Sequence, residues 1–376
     1  MILKLINLRI LSVGRISALA LSLFFSPSYI NADTGKPTIG VVAPLSGQLA
    51  TYGKAIRNGI DLARANHPEL INAVDFHFED DQHDPKRSLT AYRNIASQTQ
   101  PGALMVFGFF FPTVMGREIA TKKIPLINLS FFAKPAIGNP YIIRSMNHTG
   151  QYARALADFL AKENQSEYPF IRAQYEFYLR LSEDTDARLR EIKPGTKLSL
   201  LAEVLPNEQD FRAIILKLKA STPKRVGLFL FPGQLPSFMR QARESNLNFE
   251  IFGSPACETA ATIDGARQLI EGCVYPDNDV ASDFRESYRS RYGDETQLTF
   301  AGAAYDMSLL LGDYFRRHPG SSSKDVLAAL EAVQGRSGVL GSFTFKDDPA
   351  FGKYYSYPIV TKRISNGVGV VVSEAR

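Results

Sequence analysis

The stretch TIGVVAPLSGQLATYGKAIRNGIDLA, from Thr38 to Ala63, decides the fold. Its first part, Thr38–Ala43, is apolar and rich in β-branched residues, as expected of a strand covered on both faces. Pro44 and Gly47 interrupt this strand, and apolar residues then recur at helical spacing up to Ala63. Because α/β proteins hold ligands at the turns after parallel strands, the stretch predicts an α/β protein that binds a ligand here.

Residues 1–32 have the composition of an export signal. Lys4, Arg9 and Arg15 supply positive charge without any acidic residue, and Ile16–Phe25 is largely apolar. A membrane span needs roughly twenty apolar residues, so a signal peptide cleaved after Ala32 is favoured over an uncleaved anchor. No cysteine lies near Ala32, which argues against a lipid anchor. We expect a soluble, periplasmic product.

The remaining 344 residues are enough for two domains of ordinary size. The formal net charge of +5 includes three cations of the signal, which leaves about +2 for the rest. No Lys/Arg-dense block with interleaved aromatic residues is present, and this excludes nucleic acid as the expected partner. The chain has 25 phenylalanines and no tryptophan, a bias that bears on the ligand.

The chain has two cysteines, Cys257 and Cys273, on either side of a predicted helix over Glu258–Ile270. In an oxidising compartment we favour a disulfide between them. Two independently buried thiols are the alternative, since cysteine is among the most buried residue types. Metal binding by two cysteines without neighbouring histidines is the weakest option.

Strand and helix patterns alternate along the rest of the chain, which predicts parallel sheets with right-handed crossovers. Five stretches stand out in this pattern: VVAPLSGQLATYG at 41–53, FEDDQHDPKRS at 78–88, DFRAIILKLKASTPKRVGLFLFPGQLPSFMRQARESNL at 210–247, AGAAYDMSLLLGDYF at 301–315 and GSFTFKDDPAFG at 341–352. In content and order they resemble the type I periplasmic binding proteins of ABC importers, in the branched-chain amino acid and amide group.

This resemblance implies two Rossmann-like α/β lobes with parallel-sheet cores, joined by three hinge crossings, that close on a small ligand. Lobe one is expected at 33–146 plus 278–341, and lobe two at 147–277 plus 342–376. The implied partner is the permease of an ABC importer, contacted transiently by a monomer, and no cofactor is implied. Presentation of the ligand to a membrane sensor kinase is the alternative role.

The ligand loops depart from the pattern of the amino-acid binders. That group holds the ligand carboxylate with hydroxyls and backbone N–H groups, and the ammonium with a carboxylate and an aromatic ring on lobe two. Here Phe109–Thr113 replaces a serine-rich loop, and Pro255 replaces the acidic residue, with Glu258 as the nearest substitute. The tyrosine-glycine pair of the first lobe-two loop is missing near Ser182–Asp186.

Because an unpaired buried ammonium is costly, these loops favour an aromatic or other apolar carboxylate over a zwitterionic amino acid. A true branched-chain amino acid binder with a relocated ammonium site is the alternative. The alternative to ligand contact for some of the phenylalanines, such as Phe109 and Phe110, is packing in a lobe core. The alternative for Ser46 and Thr113 is capping of the following helix. The candidate ligand contacts are Ser46, Tyr52, Phe111, Thr113, Ser130, Phe131, Phe132, Phe231, Glu258 and Tyr305.

Enzymatic interpretations find little support in the sequence. HExxH, the P-loop motif and GxSxG are absent. Ser321–Lys324 matches SxxK, but it lies in a polar loop where Ser323 is expected to cap the next helix. Glu79–Asp84 is rich in potential metal ligands, yet Asp84 followed by Pro85 is a typical helix start. We therefore expect no catalytic residues and no metal.

Overall fold

In a computed structural model, residues 35–98 and 100–374 are described. The predicted signal peptide, residues 1–32, lies outside this part of the chain. Two seven-stranded sheets, each flanked by helices, form the cores of two lobes. Among the described residues, no helix is both long and apolar enough to cross a membrane.

Lobe one is built on a sheet with the strand order β11-β12-β5-β4-β3-β1-β2. Its strands are β1 Thr38–Ala43, β2 Asp75–Asp80, β3 Pro101–Phe107, β4 Leu126–Leu129, β5 Ile142–Arg144, β11 Thr344–Asp348 and β12 Gly352–Ser356. Its helices are α1 Ala50–Asn66, α2 Pro68–Ile71, α3 Pro85–Gln98, α4 Phe110–Lys122, α11 Ser282–Tyr292, α12 Leu298–Arg317 and α13 Ser323–Glu331, with a 3-10 turn at Lys134–Ala136.

Lobe two repeats this plan with the strand order β14-β13-β10-β9-β8-β6-β7. Its strands are β6 Glu167–Ala173, β7 Lys197–Val204, β8 Arg225–Phe229, β9 Glu250–Gly253, β10 Val274–Asp277, β13 Val360–Ser365 and β14 Val368–Glu374. Its helices are α5 Thr149–Ala161, α6 Glu176–Ile192, α7 Arg212–Ser221, α8 Gln234–Glu244, α9 Ala256–Ala261 and α10 Arg267–Ile270. In both sheets the first five strands along the chain are parallel.

The chain passes from one sheet to the other after β5, after β10 and after β12. The last of these passages corrects the expected boundary, which assigned all of 342–376 to lobe two. Strand β12 pairs with β5 in parallel, and β11 pairs with β12 in antiparallel orientation, so both strands extend the sheet of lobe one. Only β13 and β14 join lobe two, where β13 pairs with β10. Pairing partners of a late hairpin are a tertiary property that local pattern does not specify.

Close helix packing holds the core of lobe one together. Helices α1 and α12 cross at Gly59, where an added Cβ atom would lie 2.1 Å from the carbonyl oxygen of Ala301.

Two helix starts are capped by side chains. At the start of α3, the Asp84 carboxylate accepts hydrogen bonds from the Lys86 and Arg87 amides at 2.9 and 3.0 Å, the capping role predicted for it. Ser322, and not Ser323, caps α13, because its hydroxyl accepts from the Asp325 amide.

The predicted disulfide between Cys257 and Cys273 is confirmed, with the Cα atoms 6.4 Å apart and both residues buried. The predicted single helix between them is wrong, because α9 ends at Ala261 and α10 begins at Arg267. Gly265, with φ of 73°, lies in the turn that separates the two helices. The bond therefore ties the start of α9 to Cys273, the residue directly before β10.

Replacing Cys257 and Cys273 together by serine is expected to lower the free energy of unfolding by about 3 kcal/mol, because a loop of this length is released in the unfolded chain. Urea denaturation of both proteins measures the difference. Thiol labelling of the unfolded, unreduced wild-type protein is the control and should modify neither cysteine. Two labelled thiols would contradict the disulfide.

Asp306 is a buried carboxyl group in lobe one that accepts hydrogen bonds from the amides of Val339 at 2.8 Å and Leu340 at 3.5 Å. Burial raises the pKa of Asp306 to about 7. The folded protein thus binds this proton more tightly than the unfolded chain, whose aspartate pKa is about 3.9. The contribution of Asp306 to stability must therefore fall as the pH rises from about 4 to 7.

The variant Asp306→Asn keeps an acceptor oxygen but does not titrate. We expect its unfolding free energy to change less between pH 5 and pH 8 than that of the wild type. Urea denaturation at both pH values measures this difference, and groups common to both proteins cancel. Equal changes in the two proteins would show that Asp306 is ionised throughout this range.

Candidate ligand-binding cleft

The carboxyl ends of the parallel strands of both sheets face one cleft, and side chains from both lobes line a cavity of about 560 Å³ there. We call it the cleft cavity. Lobe one contributes Tyr52 from α1 and Phe131 from the loop after β4, together with residues near the start of α12. Lobe two contributes α6 residues Phe177 and Tyr178, and Ser254 from the loop after β9. Both lobes are thus needed to form the site.

Phe131 is the centre of an aromatic cluster that bridges the lobes. Its ring centroid lies 4.9 Å from that of Phe177 and 5.5 Å from that of Tyr152, both on lobe two. On its own lobe, Phe131 packs edge-on against Phe300 at 5.3 Å. Offset and edge-to-face pairs of this kind are favourable and leave flat apolar faces for a ligand.

Tyr52 closes the cavity on the lobe-one side. Its ring lies 5.0 Å from Phe107 and, edge-on, 5.0 Å from Phe300. Burial raises the pKa of Tyr52 to about 12, with the hydroxyl facing the Gln297 side chain. The phenol is therefore protonated at neutral pH and can donate a hydrogen bond to a ligand.

Glu258 also lines the cavity, but its carboxylate already has partners. It accepts from Arg285 of lobe one at 2.9 Å and from the Tyr275 hydroxyl at 2.7 Å, and the buried Lys362 ammonium lies 3.6 Å away. Burial alone would raise the pKa of Glu258, but Lys362 and Arg285 outweigh it and hold the pKa below its usual value. Arg285 in turn pairs with Glu295. The ion pair between Arg285 and Glu258 therefore links the two lobes across the cleft.

Two further features define this charged part of the cavity. Asp277, at the end of β10, is buried, and burial raises its pKa to about 6 although Lys362 opposes the shift. Gly369 lets β14 pass over the pair of Tyr275 and Glu258, because an added Cβ atom would lie 2.1 Å from the Tyr275 hydroxyl oxygen. Lys362 and Arg285 thus balance the carboxylate of Glu258, whereas burial dominates at Asp277.

A second cavity, of about 690 Å³, lies on the other side of Phe131 and Phe177, which line both. We call it the aromatic chamber. Its apolar walls are Phe109, Phe110, Phe131, Phe132, Ile137, Tyr175, Phe177 and Phe351, and the His83 ring also lines it. Phe132 of lobe one faces Tyr175 of lobe two, with ring centroids 5.8 Å apart.

Three hydroxyls predicted to meet the ligand make hydrogen bonds within lobe one and line neither cavity. Ser46 donates to the Asp80 carboxylate at 2.5 Å. Thr113 donates to the Phe109 carbonyl at 2.7 Å, one turn back along α4. The Ser130 oxygen accepts from the Phe132 amide at 3.0 Å and so shapes the loop after β4.

Two predicted ligand contacts are wrong, because Phe111 and Tyr305 are core residues. Phe111 is fully buried and packs near Tyr92, while its neighbour Phe110 faces the aromatic chamber. Successive residues of a helix point about 100° apart, and α4 begins at Phe110, so only one of the two can face the cleft. Tyr305 lies 5.1 Å from Phe284 in the core of lobe one, with Asn66 at its hydroxyl.

The first loop of lobe two also differs from expectation. It comprises residues 174–175, because β6 ends at Ala173 and α6 begins at Glu176, so Ser182–Asp186 lies in mid-helix. A tyrosine is present in this loop, Tyr175, followed by glutamate instead of glycine. Phe231 lines neither cavity and supports this loop, with its ring 5.2 Å from Tyr175 and 5.3 Å from Tyr178.

Sequence reasoning missed the residues of lobe two that line the cleft cavity, Phe177, Tyr178 and Ser254, and the lobe-one residues Arg285 and Phe300. The strand, turn and helix start at 167–178 carried a usable signal, since aromatic residues crowd the sequence YEFY directly after a strand. Arg285 carried none, because an exposed-looking arginine on α11 reveals its partner only through tertiary structure.

Comparison with known proteins agrees with this architecture. A family model described as periplasmic binding protein matches residues 36–361. The chain belongs to this family, whose type I members have two lobes of mostly parallel sheet with flanking helices. It is similar to Leu/Ile/Val-binding protein homolog 2 of Brucella abortus, with 23% identity over 346 residues, 85% of this chain and 89% of the relative.

Solved structures with this fold include proteins crystallised with different ligands. One is a solute-binding protein of Rhodopseudomonas palustris in complex with 3,4-dihydroxybenzoic acid, with 17% identity, a TM-score of 0.75, and coverage of 90% of this chain and 98% of that one. Another is LivJ of Streptococcus pneumoniae in complex with isoleucine, with 16% identity, a TM-score of 0.74, and coverage of 90% and 99%. At these identities the likeness shows the fold alone.

Proposed function

We propose that this protein is the extracytoplasmic binding component of an ABC importer and that its cleft takes an aromatic or other apolar carboxylate in preference to a zwitterionic α-amino acid. The observation that carries the preference is the state of Glu258. Its carboxylate is the nearest substitute for the missing ammonium partner, and it is bound to Arg285 and Tyr275. An incoming ammonium group would have to displace Arg285 from it.

The lining of the cleft cavity supports an apolar ligand body. Rings from both lobes meet at Phe131, and Tyr52 and Tyr178 add further aromatic surface. Closing two lobes on a flat ligand removes apolar area from water on both of its faces, which is the main driving force for binding such molecules.

The polar side chains that line the cleft cavity are suited to binding a carboxylate group of the ligand. Hydroxyl donors converge on the cavity from Tyr52, Tyr178 and Ser254. Arg267 lies exposed at the cavity, next to the turn at Gly367. A buried carboxylate is stable only when such donors replace its water shell.

Similar proteins with this fold provide context. The Rhodopseudomonas palustris proteins were crystallised with 3,4-dihydroxybenzoic acid and with benzoate, and the streptococcal LivJ with isoleucine. One scaffold therefore accommodates both ligand classes, so side chains of the loops decide the ligand. The phenylalanines and Pro255 of this chain favour the first class.

Matched ligand pairs test the preference by calorimetry on the purified protein. Phenylpyruvate against phenylalanine, and 4-methyl-2-oxopentanoate against leucine, differ only in the group at the α-carbon. We expect the oxo acid of each pair to bind at least about tenfold more tightly, a difference of about 1.4 kcal/mol. Tighter binding of the amino acids, lost in Glu258→Gln, would establish an amino-acid binder with a relocated ammonium site.

Uptake measurements test the transport role. A strain lacking the gene should take up the radiolabelled oxo acid more slowly than the wild type, and the gene in trans should restore the rate. Unchanged uptake together with loss of a transcriptional response to the same acid would instead support the sensing role.

A further inference from the structure

We propose that the aromatic chamber is a subsite for the apolar end of the ligand, so that the substrate class is an elongated aryl or acyl carboxylate that reaches past Phe131 and Phe177. This inference rests on the proposed function, since it places the carboxylate in the cleft cavity. Beyond that function, the inference specifies that the ligand is elongated and that its apolar end lies in the aromatic chamber.

The chemistry of the two cavities differs in the way such a ligand requires. Rings make up much of the lining of the aromatic chamber, which also includes Ile137 and the charged residues Lys134, Glu176, Arg180 and Asp184. Three of the charged groups are engaged: Arg180 pairs with Glu176 at 3.1 Å, and Asp184 accepts from the Thr149 hydroxyl at 2.9 Å. The cleft cavity contains the hydroxyls and the ionised groups. A carboxylate is therefore better solvated in the cleft cavity, and a hydrocarbon body in the chamber.

The wall between the cavities can open. Phe131 belongs to lobe one and Phe177 to lobe two, and their ring centroids are 4.9 Å apart. When the lobes move apart about their hinge, the two rings separate and the cavities join. An elongated ligand that enters the open form is then enclosed on both sides of the wall as the lobes close.

The chamber is maintained by local backbone structure in lobe one. Gln82 and His83, both non-glycine residues, have positive φ of 49° and 55°. Asp80 and Asp81 hold them there by accepting from their amides at 3.0 and 2.9 Å. The His83 ring then lies against Gly108 and 4.6 Å from Phe110. Backbone in this region is unfavourable for such residues and is often found at functional sites.

The experiment uses two acids of different length, 4-iodobenzoate and 4-(4-iodophenyl)butanoate, because iodine quenches tryptophan fluorescence on contact. The protein has no tryptophan, so one introduced residue is a unique reporter. Phe132→Trp reports on the aromatic chamber and Tyr52→Trp on the cleft cavity. We expect 4-iodobenzoate to quench only the cleft reporter, and the longer acid to quench the chamber reporter.

Affinity provides the second measurement. Calorimetry on the wild type should show the longer acid binding roughly tenfold more tightly, because its additional apolar surface is buried. Ala133→Phe fills the chamber and should remove this gain while leaving 4-iodobenzoate affinity unchanged. Ala350 lies in an exposed turn that also lines the aromatic chamber, so Ala350→Phe replaces the first variant if that variant does not fold.

The outcomes separate the two proposals. If 4-iodobenzoate binds, but the longer acid neither quenches Phe132→Trp nor responds to the filled chamber, the subsite is refuted and the proposed function stands. If the longer acid quenches the chamber reporter and saturating 4-iodobenzoate does not relieve this quenching, the two acids do not share a carboxylate site, the chamber is an independent site and the elongated-ligand proposal is wrong. If neither acid binds the wild type, the proposed function and the subsite both fail.

Discussion

Replacing Glu258 by glutamine is expected to lower the free energy of unfolding by about 3 kcal/mol, because it removes one partner of a largely buried ion-pair network. Lys362, which is 1% exposed, and Arg285 would lose the carboxylate that lies 3.6 and 2.9 Å from them. The isosteric amide keeps an acceptor for Tyr275 but not the charge. Urea denaturation measures the loss.

Glu295→Gln is the matched control, since Glu295 also pairs with Arg285 but lies on the same lobe. The loss of unfolding free energy in this variant should be smaller, because Arg285 keeps its ion pair with Glu258. The other partner of Glu295, Arg289, is exposed. A double-mutant cycle of Glu258→Gln with Arg285→Gln then gives the coupling energy between the lobes. A cycle with no coupling would show that the ion pair does not stabilise the arrangement of the two lobes seen in the structure.

Replacing Phe131 by alanine is expected to weaken binding of the aromatic acid identified by calorimetry by about 2 kcal/mol or more, roughly thirtyfold. The ring contacts Phe177 and Tyr152 across the cleft, so its loss removes a central apolar surface and opens the wall between the cavities. Stability of the free protein should fall by less than the 3–5 kcal/mol that is typical of a fully buried phenylalanine, because Phe131 is partly exposed.

Phe249→Ala is the control for truncating a partly buried ring. Phe249 packs near Phe238 in lobe two and lines neither cavity. It should reduce stability while leaving ligand affinity unchanged. Equal losses of affinity in the two variants would mean that Phe131 acts through general destabilisation instead of ligand contact.

The sequence by itself determined the features that depend on local pattern. Thr38–Ala43 forms a buried parallel strand, because a run of apolar, β-branched residues suits a sheet covered on both faces. Asp84 followed by Pro85 starts α3, because its carboxylate satisfies the free amides of the first turn. The cysteines paired as predicted, since a sequence separation of 16 allowed them to approach.

Only the tertiary structure decided which side chains of these elements face the cleft. Phe110 and Phe111 are the same residue type and are adjacent in sequence. Because successive helix residues point about 100° apart, Phe110 lines the aromatic chamber and Phe111 lies in the core. Glu258 was identified from sequence, but its partners Arg285 and Lys362 come from α11 and β13. Ion pairs between distant segments, like the pairing of β12 with β5, depend on how the chain returns through space, which local periodicity does not encode.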